Sequence, residues 1–290
     1  MPSDQVHPHD AVFKRFFKDC DYCCDLLQIL LAPSLCSIFD WQAAQIGESV
    51  VSVAKGREVR ADIVLEVPFK HEDFHVVITI VLEHKSYAYN DTILQMLSYY
   101  NAVAQKSNSL VLPIIVTCFE DKQATIPSDY ISWVLRKQGA SEELIHRFRK
   151  LPNFNCILVN LHDLSYRRMR RGGEEVSLAL FGMRNYWERD DEVVAKIIKK
   201  ARLLPHERRS FVLGVLMDYY EHADKRYGKE GFARVERKYF PNLKEEERLM
   251  PEFEFTYDKL ARLEKAEKAA KQAIIKGRQE GIKQGIEQCI

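Results

Sequence analysis

Hydrophobic residues in the first third of the chain follow a helical period and then a strand-like pattern. Apolar residues recur at helical spacing over residues 10–31, which predicts one amphipathic helix that ends near Pro33. Runs rich in Val, Ile and Phe then occupy residues 45–53, 58–69 and 74–85, with polar turns between them. These runs predict three sequential antiparallel strands.

The middle of the chain alternates again between helix and strand. The pattern predicts a helix over 90–105, a buried strand over 110–119, a helix around 141–150 and a strand over 154–159. Residues 1–172 are therefore expected to form one α/β domain.

After this first domain the hydrophobic pattern is helical and strand-forming residues are scarce. Helices are predicted over 176–186, 193–204 and 207–226, with shorter pieces up to Phe240. Residues 173–257 are therefore expected to form a helical extension.

The last segment, residues 258–290, is charged and carries Gly277, Gly281 and Gly285 at four-residue spacing. Each interior glycine costs a helix about 1 kcal/mol relative to alanine, so a helix here is marginal in water. Two interpretations stay open: a helix that packs through its glycine face, or a solvated and partly disordered tail. The first interpretation would let the C-terminal helices form a homo-oligomer.

Composition and charge limit the class of protein. The 290 residues, of which 46% are hydrophobic and 29% charged, are typical of a soluble globular protein with about two folding units. A net charge of +1 means that any site for a polyanion has to be a local patch. The longest uncharged apolar run, residues 26–39, is shorter than the roughly 20 residues of a membrane span. Seven cysteines without disulfide spacing, and no signal-peptide pattern, favour the reducing cytoplasm.

Three charged residues are expected to gather at one end of the predicted sheet. Side chains alternate along a strand, so Glu83 and Lys85 share a face. Asp62 lies on the preceding strand, and a hairpin that turns near residues 70–73 would bring it close to them. Charge buried in an apolar sheet is costly unless it is paired or binds a metal ion.

These three residues suit one kind of chemistry. Asp62 and Glu83 supply the hard oxygen ligands that Mg²⁺ prefers, and the metal would polarise a phosphoryl group and acidify a bound water. Lys85 could orient or deprotonate that water and offset the charge that develops on the phosphate. The alternative is a structural salt-bridge cluster at the end of a strand. The acid-x-Lys tripeptide alone is weak evidence, because it recurs at 120–122 and 236–238.

The order of these motifs resembles that of the PD-(D/E)XK nuclease superfamily. More closely, residues 9–14 (HDAVFK), 60–62 (RAD), 82–86 (LEHKS) and 95–99 (QMLSY) resemble the Rpn family of bacterial recombination-promoting nucleases, also called YhgA-like transposases. The resemblance covers about residues 7–160.

The resemblance implies a fold and an activity. The fold would be a restriction-endonuclease-like core, with a central mixed sheet flanked by helices, followed by a helical C-terminal extension. The activity would be Mg²⁺-dependent hydrolysis of DNA phosphodiester bonds, with Mn²⁺ able to substitute, in a recombination or transposase-like role. The alternative is a catalytically inactive module of the same fold that mediates protein or DNA interactions.

The resemblance also assigns roles to residues. Asp62 and Glu83 would be the metal ligands and Lys85 the catalytic lysine. Gln95 would contact phosphate or the attacking water, and Tyr99, one helical turn later, would position the nucleic acid. An ordinary packing role of this helix on the sheet is the alternative for both residues.

Asp10 has two interpretations as well. It could join the acidic cluster, as an acidic residue of the first helix does in parts of the superfamily, or it could be the N-cap of that helix. Ala61 stands where the superfamily has a proline, which is not a ligand.

A cluster of arginines and a cluster of cysteines are two further candidates for binding sites. The basic run of Arg167, Arg168, Arg170 and Arg171 could neutralise DNA phosphates, or it could be a solvated helix face. Residues Cys20, Cys23 and Cys24 lack a second pair at zinc-ligand spacing, so they are expected to be small core residues.

Overall fold

Helices account for most of the regular structure, and the strands form two sheets. The computed structural model describes residues 8–47, 50–53, 57–70, 77–85, 91–107, 110–148, 151–244 and 248–249. Its strands are β1 Gln45–Ile46, β2 Val50–Val53, β3 Arg57–Arg60, β4 Ile63–Pro68, β5 Val77–Lys85, β6 Leu110–Thr117 and β7 Ile157–Asn160. Its helices are α1 Pro8–Phe17, α2 Cys20–Leu30, α3 Pro33–Cys36, α4 Thr92–Ser107, α5 Tyr130–Lys137, α6 Glu142–Phe148, α7 Tyr166–Met169, α8 Glu174–Arg184, α9 Asp191–Ala201, α10 His206–Ala223 and α11 Lys229–Tyr239.

The larger sheet is mixed and has five strands in the order β1-β4-β5-β6-β7. Strand β4 pairs antiparallel with β1 and β5, whereas β6 pairs parallel with β5 and β7. Parallel neighbours need a crossover connection, and here α4 joins β5 to β6 while α5 and α6 join β6 to β7. The remaining strands, β2 and β3, form a separate antiparallel pair. The predicted α/β class is confirmed.

Helices cover both faces of the larger sheet. Because side chains alternate along a strand, Ile63 and Leu65 of β4 face a core shared with α1, α2 and α8 to α11. Val64 faces the opposite way, into a second core beneath α4. On β6, Ile114 and Ile115 divide between the same two cores. The sheet therefore separates α4 from the N- and C-terminal helices.

The single helix predicted over residues 10–31 is wrong, because the structure has two helices there, α1 and α2. Asp19 is extended, and its carboxylate accepts hydrogen bonds from the backbone N–H groups of Asp21 and Tyr22. This arrangement is an N-cap, which starts a new helix after the break.

The prediction of three long strands is also wrong in its boundaries. The run over 45–53 divides into β1 and β2, and the run over 58–69 divides into β3 and β4 at a bend at Asp62. After Gly47, whose N–H donates to the Val64 carbonyl at 2.8 Å, the chain stops pairing with β4 and instead forms the β2–β3 hairpin. The antiparallel pairing of β4 with β5 is confirmed.

Helices α8 to α11 confirm the helical pattern predicted after residue 172. They share their apolar core with α1 and α2, and α1 packs directly against α10. The proposed domain boundary at 172 stays a prediction, and residues 258–290 lie outside the described residues, as does their role in oligomerisation. Among the described helices, none combines the length and the apolar character that a membrane crossing requires.

Candidate functional site

The sheet register brings Asp62 and Glu83 to the same end of adjacent strands. Ile63 begins β4 and pairs with Leu82 of β5, so Asp62 and Glu83 each lie one residue beyond that pair. Two residues after Glu83, β5 ends at Lys85. The side chains of Glu83 and Lys85 lie outside the described part of the structure. The backbone therefore places Asp62 and Glu83 at neighbouring strand positions, with Lys85 two residues further along β5, and the gathering of the three side chains stays a prediction.

Asp62 is a buried charged residue, with only 8% of its surface exposed. The Lys14 ammonium of α1 lies 2.6 Å from its Oδ1, and the lysine side chain is 41% exposed. A carboxylate in this setting needs a positive partner, because burial without one is costly. Lys14 supplies at least part of that charge from a helix distant in sequence.

The role of Lys14 was missed by the sequence analysis. Lys14 is the last residue of the motif over 9–14, which carried the family resemblance, and no function was assigned to it there. Asp10 lies in the first turn of α1, four residues before Lys14, so the two positions share one face of the helix. Asp10 thus lies within α1, and its place in the acidic cluster stays a prediction, because its side chain is outside the described part.

Gln95 and Tyr99 contact each other on α4. The Gln95 Nε2 donates to the Tyr99 hydroxyl oxygen at 2.6 Å, as their one-turn spacing allows. Tyr99 is buried in the core beneath α4, together with Met96 and Ile115. Ile115 is also the β6 register partner of Glu83. Gln95 and Tyr99 therefore lie on the helix that covers the row of the sheet formed by Glu83 and Ile115. Their contact with a substrate stays a prediction.

The predicted metal ligands are the carboxylate oxygens of Asp62 and Glu83, and a hard divalent cation would need both residues. Among the described side chains, no three His, Cys, Asp or Glu residues form a group that could hold a metal ion. The Glu83 carboxylate is not part of that set, so this absence leaves the predicted pair untested. Two carboxylates at adjacent strand ends match the oxygen ligands that Mg²⁺ uses while it keeps several waters.

The cysteine cluster of α2 behaves as core. Cys23 and Cys24 are buried, and Cys20 is half-buried. Burial raises the pKa of the Cys24 thiol to about 12 and also raises the pKa of Cys20. A metal-binding cysteine must be a thiolate, which a raised pKa disfavours. The structure thus supports the expectation of small core residues.

The arginine run divides into one capping residue and three exposed ones. The Arg168 guanidinium donates to the carbonyls of Ile29 at 2.8 Å and Leu30 at 2.7 Å, which lie at the C-terminal end of α2. Such a cation satisfies free carbonyls at a helix end. The other three, Arg167, Arg170 and Arg171, are exposed. Their contact with DNA stays a prediction.

The chain matches a known protein family over most of its length. The family model described as "Putative transposase, YhgA-like" matches residues 7–210. No curated protein and no solved structure matches the chain. The matched region begins with α1 and continues through the sheet into α10, so it includes every element that positions the candidate site.

Proposed function

Because the chain belongs to the YhgA-like transposase family, we propose that it is a metal-dependent DNA endonuclease that hydrolyses phosphodiester bonds in a transposase-like or recombination role. In this proposal, the mixed sheet and the helices on its two faces form a restriction-endonuclease-like core. Support for that core comes from the strand order and from the helical crossovers between β5, β6 and β7.

The placement of Asp62 carries this proposal. Asp62 is buried at the start of β4, beside the position of Glu83, and a lysine ammonium contacts its carboxylate. Charge at the end of an apolar sheet is expensive to maintain unless it is paired or binds a metal ion.

In the proposed site, Asp62 and Glu83 would hold Mg²⁺, or Mn²⁺ in its place. Such a cation, when bound, would polarise the phosphoryl group and acidify the attacking water. Lys85 orients the attacking water and stabilises the negative charge that develops on the phosphate. Gln95 lies on α4 and donates a hydrogen bond to the Tyr99 hydroxyl. From this position it would contact the phosphate or the attacking water.

A second function, a catalytically inactive module, is favoured by one contact. Lys14 already provides a positive charge 2.6 Å from Asp62 Oδ1. In an inactive descendant this ion pair would replace the metal as the partner of the carboxylate. The chain would then serve as a protein- or DNA-binding unit of the same fold.

Plasmid cleavage distinguishes the two functions. The purified full-length protein is incubated with supercoiled plasmid in Mg²⁺, in Mn²⁺ and in EDTA. We expect nicking or linearisation with either metal and none in EDTA. The variants Asp62→Asn, Glu83→Gln and Lys85→Met should each lower the cleavage rate by about 100-fold or more, the usual effect of losing one charge-stabilising group.

Glu66→Gln is the matched control, because Glu66 is an exposed glutamate on a central strand of the same sheet. This variant should cleave like the wild type. Cleavage that survives in Asp62→Asn and Glu83→Gln would assign activity to another site. Absence of cleavage by the folded wild type with both metals would favour the inactive module.

A further inference from the structure

An open groove lies between α5 and the start of α4. Its volume is about 390 Å³, in the range of small-ligand sites. The residues that line it are Asp91, Thr125, Pro127, Trp133, Arg136 and Lys137.

Trp133 is the aromatic residue that lines the groove, and the ring of Tyr130 packs beside it. Tyr130, Trp133 and Lys137 follow one another at helical spacing on α5. The rings of Tyr130 and Trp133 are stacked, with centroids 5.8 Å apart and planes inclined by 26°. The Lys137 ammonium lies 4.8 Å from the centre of the Trp133 ring. Exposed aromatic rings beside cations are the usual platform for an unpaired base, because every base has a flat π face.

The groove also offers two cations in replaceable ion pairs. The Arg136 guanidinium donates two hydrogen bonds to the Glu142 carboxylate, from Nε to Oε1 at 3.1 Å and from Nη2 to Oε2 at 3.3 Å, and Lys137 Nζ lies 3.6 Å from Asp91 Oδ1. All four side chains are at least one-third exposed, so water screens both pairs, and a phosphate offers Arg136 the same bidentate geometry as the carboxylate. A phosphate group could therefore displace either carboxylate from its cation.

Asp91 contributes a buried acceptor to the same groove. Its side chain is 43% exposed as a whole, but Oδ1 is buried: the Lys137 ammonium lies 3.6 Å away, beyond hydrogen-bond distance, and no hydrogen-bond partner lies among the described residues. An acceptor in this state requires a donor. The exocyclic amino groups of cytosine and adenine are donors, and an acidic side chain accepts from the cytosine amino group in known base recognition.

The groove is close in the chain to the proposed catalytic site. Asp91 follows the end of β5 after a short segment, and its carbonyl accepts from the Gln95 backbone N–H at 3.1 Å. The groove therefore begins one helical turn before Gln95.

We propose that this groove binds one unpaired nucleotide of a DNA strand, an inference that rests on the proposed action on DNA. The base stacks on Trp133 and donates its amino group to Asp91 Oδ1, while Arg136 and Lys137 contact the flanking phosphates. The preferred DNA then contains a single-stranded or splayed segment next to the cleavage site.

Binding of a labelled oligonucleotide tests the proposal without cleavage. The probe is a fluorescent single strand of about 12 cytidine nucleotides, and anisotropy is measured with the full-length protein in EDTA. Loss of the stacking ring in Trp133→Leu, or of the ring that packs against it in Tyr130→Ala, should weaken binding by about 10- to 100-fold. Tyr239→Ala is the matched control, because Tyr130 and Tyr239 are both 38% exposed and a lysine ammonium lies 5.1 Å from the centre of the Tyr239 ring.

A second readout separates a direct contact from loss of fold. Stacking should quench the fluorescence of Trp133, and Trp133→Phe, which keeps an aromatic ring in place, should bind the probe with that quenching lost. A thymidine oligonucleotide, which lacks the amino group, should bind more weakly than the cytidine one. Asp91→Ser should abolish this difference.

Three outcomes would overturn the groove proposal. These are no binding of the probe, wild-type affinity in both Trp133→Leu and Tyr130→Ala, or equally tight binding of a fully paired duplex. Because the assay contains no divalent metal, its result is independent of plasmid cleavage. A protein that binds the probe through the groove but never cuts DNA would keep this inference and lose the proposed enzyme activity.

Discussion

The ion pair between Lys14 and Asp62 shows how a buried carboxylate is maintained in the folded protein. Asp62 is removed from water, while Lys14 reaches it from a partly exposed position on α1. A divalent cation on the same carboxylate would supply the same kind of countercharge. Lys14 and a metal ion are therefore expected to compete for this carboxylate, and a substitution of the lysine distinguishes the metal site from the structural ion pair.

Replacing Lys14 tests the role of Asp62. We expect Lys14→Met to lower the free energy of unfolding by about 1–2 kcal/mol, between the values for exposed and for buried ion pairs. Added Mn²⁺ should raise the thermal midpoint of Lys14→Met more than that of the wild type, because the metal replaces the missing charge. Lys18→Met, at an exposed lysine just after α1, is the control. Equal metal-induced shifts in all three proteins would contradict a metal site at Asp62.

The residues of the candidate site differ in how far the sequence could predict them. The proximity of Asp62 and Glu83 follows from strand alternation and a short hairpin, and the β4–β5 register agrees with it. The contact of Lys14 with Asp62 joins residues far apart in the chain, through the docking of a helix on a sheet end. The hydrophobic period shows which face of a helix is apolar. It does not show which residues of other elements the polar side chains of that helix contact.

Among the secondary-structure elements, α1 and α2 show a related limit of the sequence pattern. Phe16 and Phe17 are followed at helical spacing by Cys20, Cys23 and Cys24, so the apolar period continues through the break between the helices. The sequence signal for that break is the N-cap residue Asp19 and not the hydrophobic pattern. Helix α5 was missed for a different reason: it has only eight residues, too few to establish a helical period in the sequence.

Arg168 caps the C-terminal end of α2, and its substitution can separate this structural role from a role in DNA binding. Arg168→Ala should lower the free energy of unfolding by about 2 kcal/mol, because two charge-assisted hydrogen bonds to the Ile29 and Leu30 carbonyls are lost. Arg167→Ala should leave stability nearly unchanged, since its side chain is exposed. Urea denaturation measures stability, and titration of duplex DNA measures affinity. Equal destabilisation by both substitutions would contradict the capping role.

The contact between α9 and α11 predicts a pH dependence. Hydrogen bonds from Lys238 and Arg234 hold the pKa of Asp191 below its usual value, with the Lys238 bond the larger cause. A lowered pKa in the folded state stabilises the protein above the unfolded pKa of about 3.9, and this stability is lost as the pH falls through the folded pKa. Asp191→Asn should therefore be modestly less stable than the wild type at pH 7, and the difference should shrink below about pH 4.

Urea denaturation at several pH values measures this difference. Glu192→Gln is the control, because the Glu192 side chain is 65% exposed and lies 3.9 Å from Lys196. If the difference in the free energy of unfolding between Asp191→Asn and the wild type stays constant as the pH falls to the acid transition, the stabilising role of the ionised Asp191 is wrong.

Across the whole molecule, one apolar core connects the N-terminal helices, the sheet and the C-terminal helices. Helices α8 and α10 approach closely within it, and the Tyr220 hydroxyl donates to the Gly182 carbonyl at 2.9 Å. A side chain at Gly182 would place its Cβ 2.4 Å from Leu216 Cδ2. The helices after residue 172 thus stabilise the same core that supports the sheet, which the sequence could not show because the contact depends on helix packing.

Gly182→Ala tests this shared core. We expect a loss of about 1–3 kcal/mol in the free energy of unfolding, because the buried Leu216 must move or the helices must separate. Thermal unfolding followed by circular dichroism should show one transition at a lower temperature, with helix and sheet lost together. Two separate transitions in the variant would indicate that the C-terminal helices form an independent unit.

Binding of a divalent cation at the sheet end with Asp62 and Glu83 can be measured without DNA. The full-length protein is titrated with Mn²⁺, and electron paramagnetic resonance measures the free ion. We expect a site in the wild type that is lost in both Asp62→Asn and Glu83→Gln and retained in Glu66→Gln. Unchanged Mn²⁺ binding in Asp62→Asn and Glu83→Gln, or no binding by the folded wild type, would contradict this expectation.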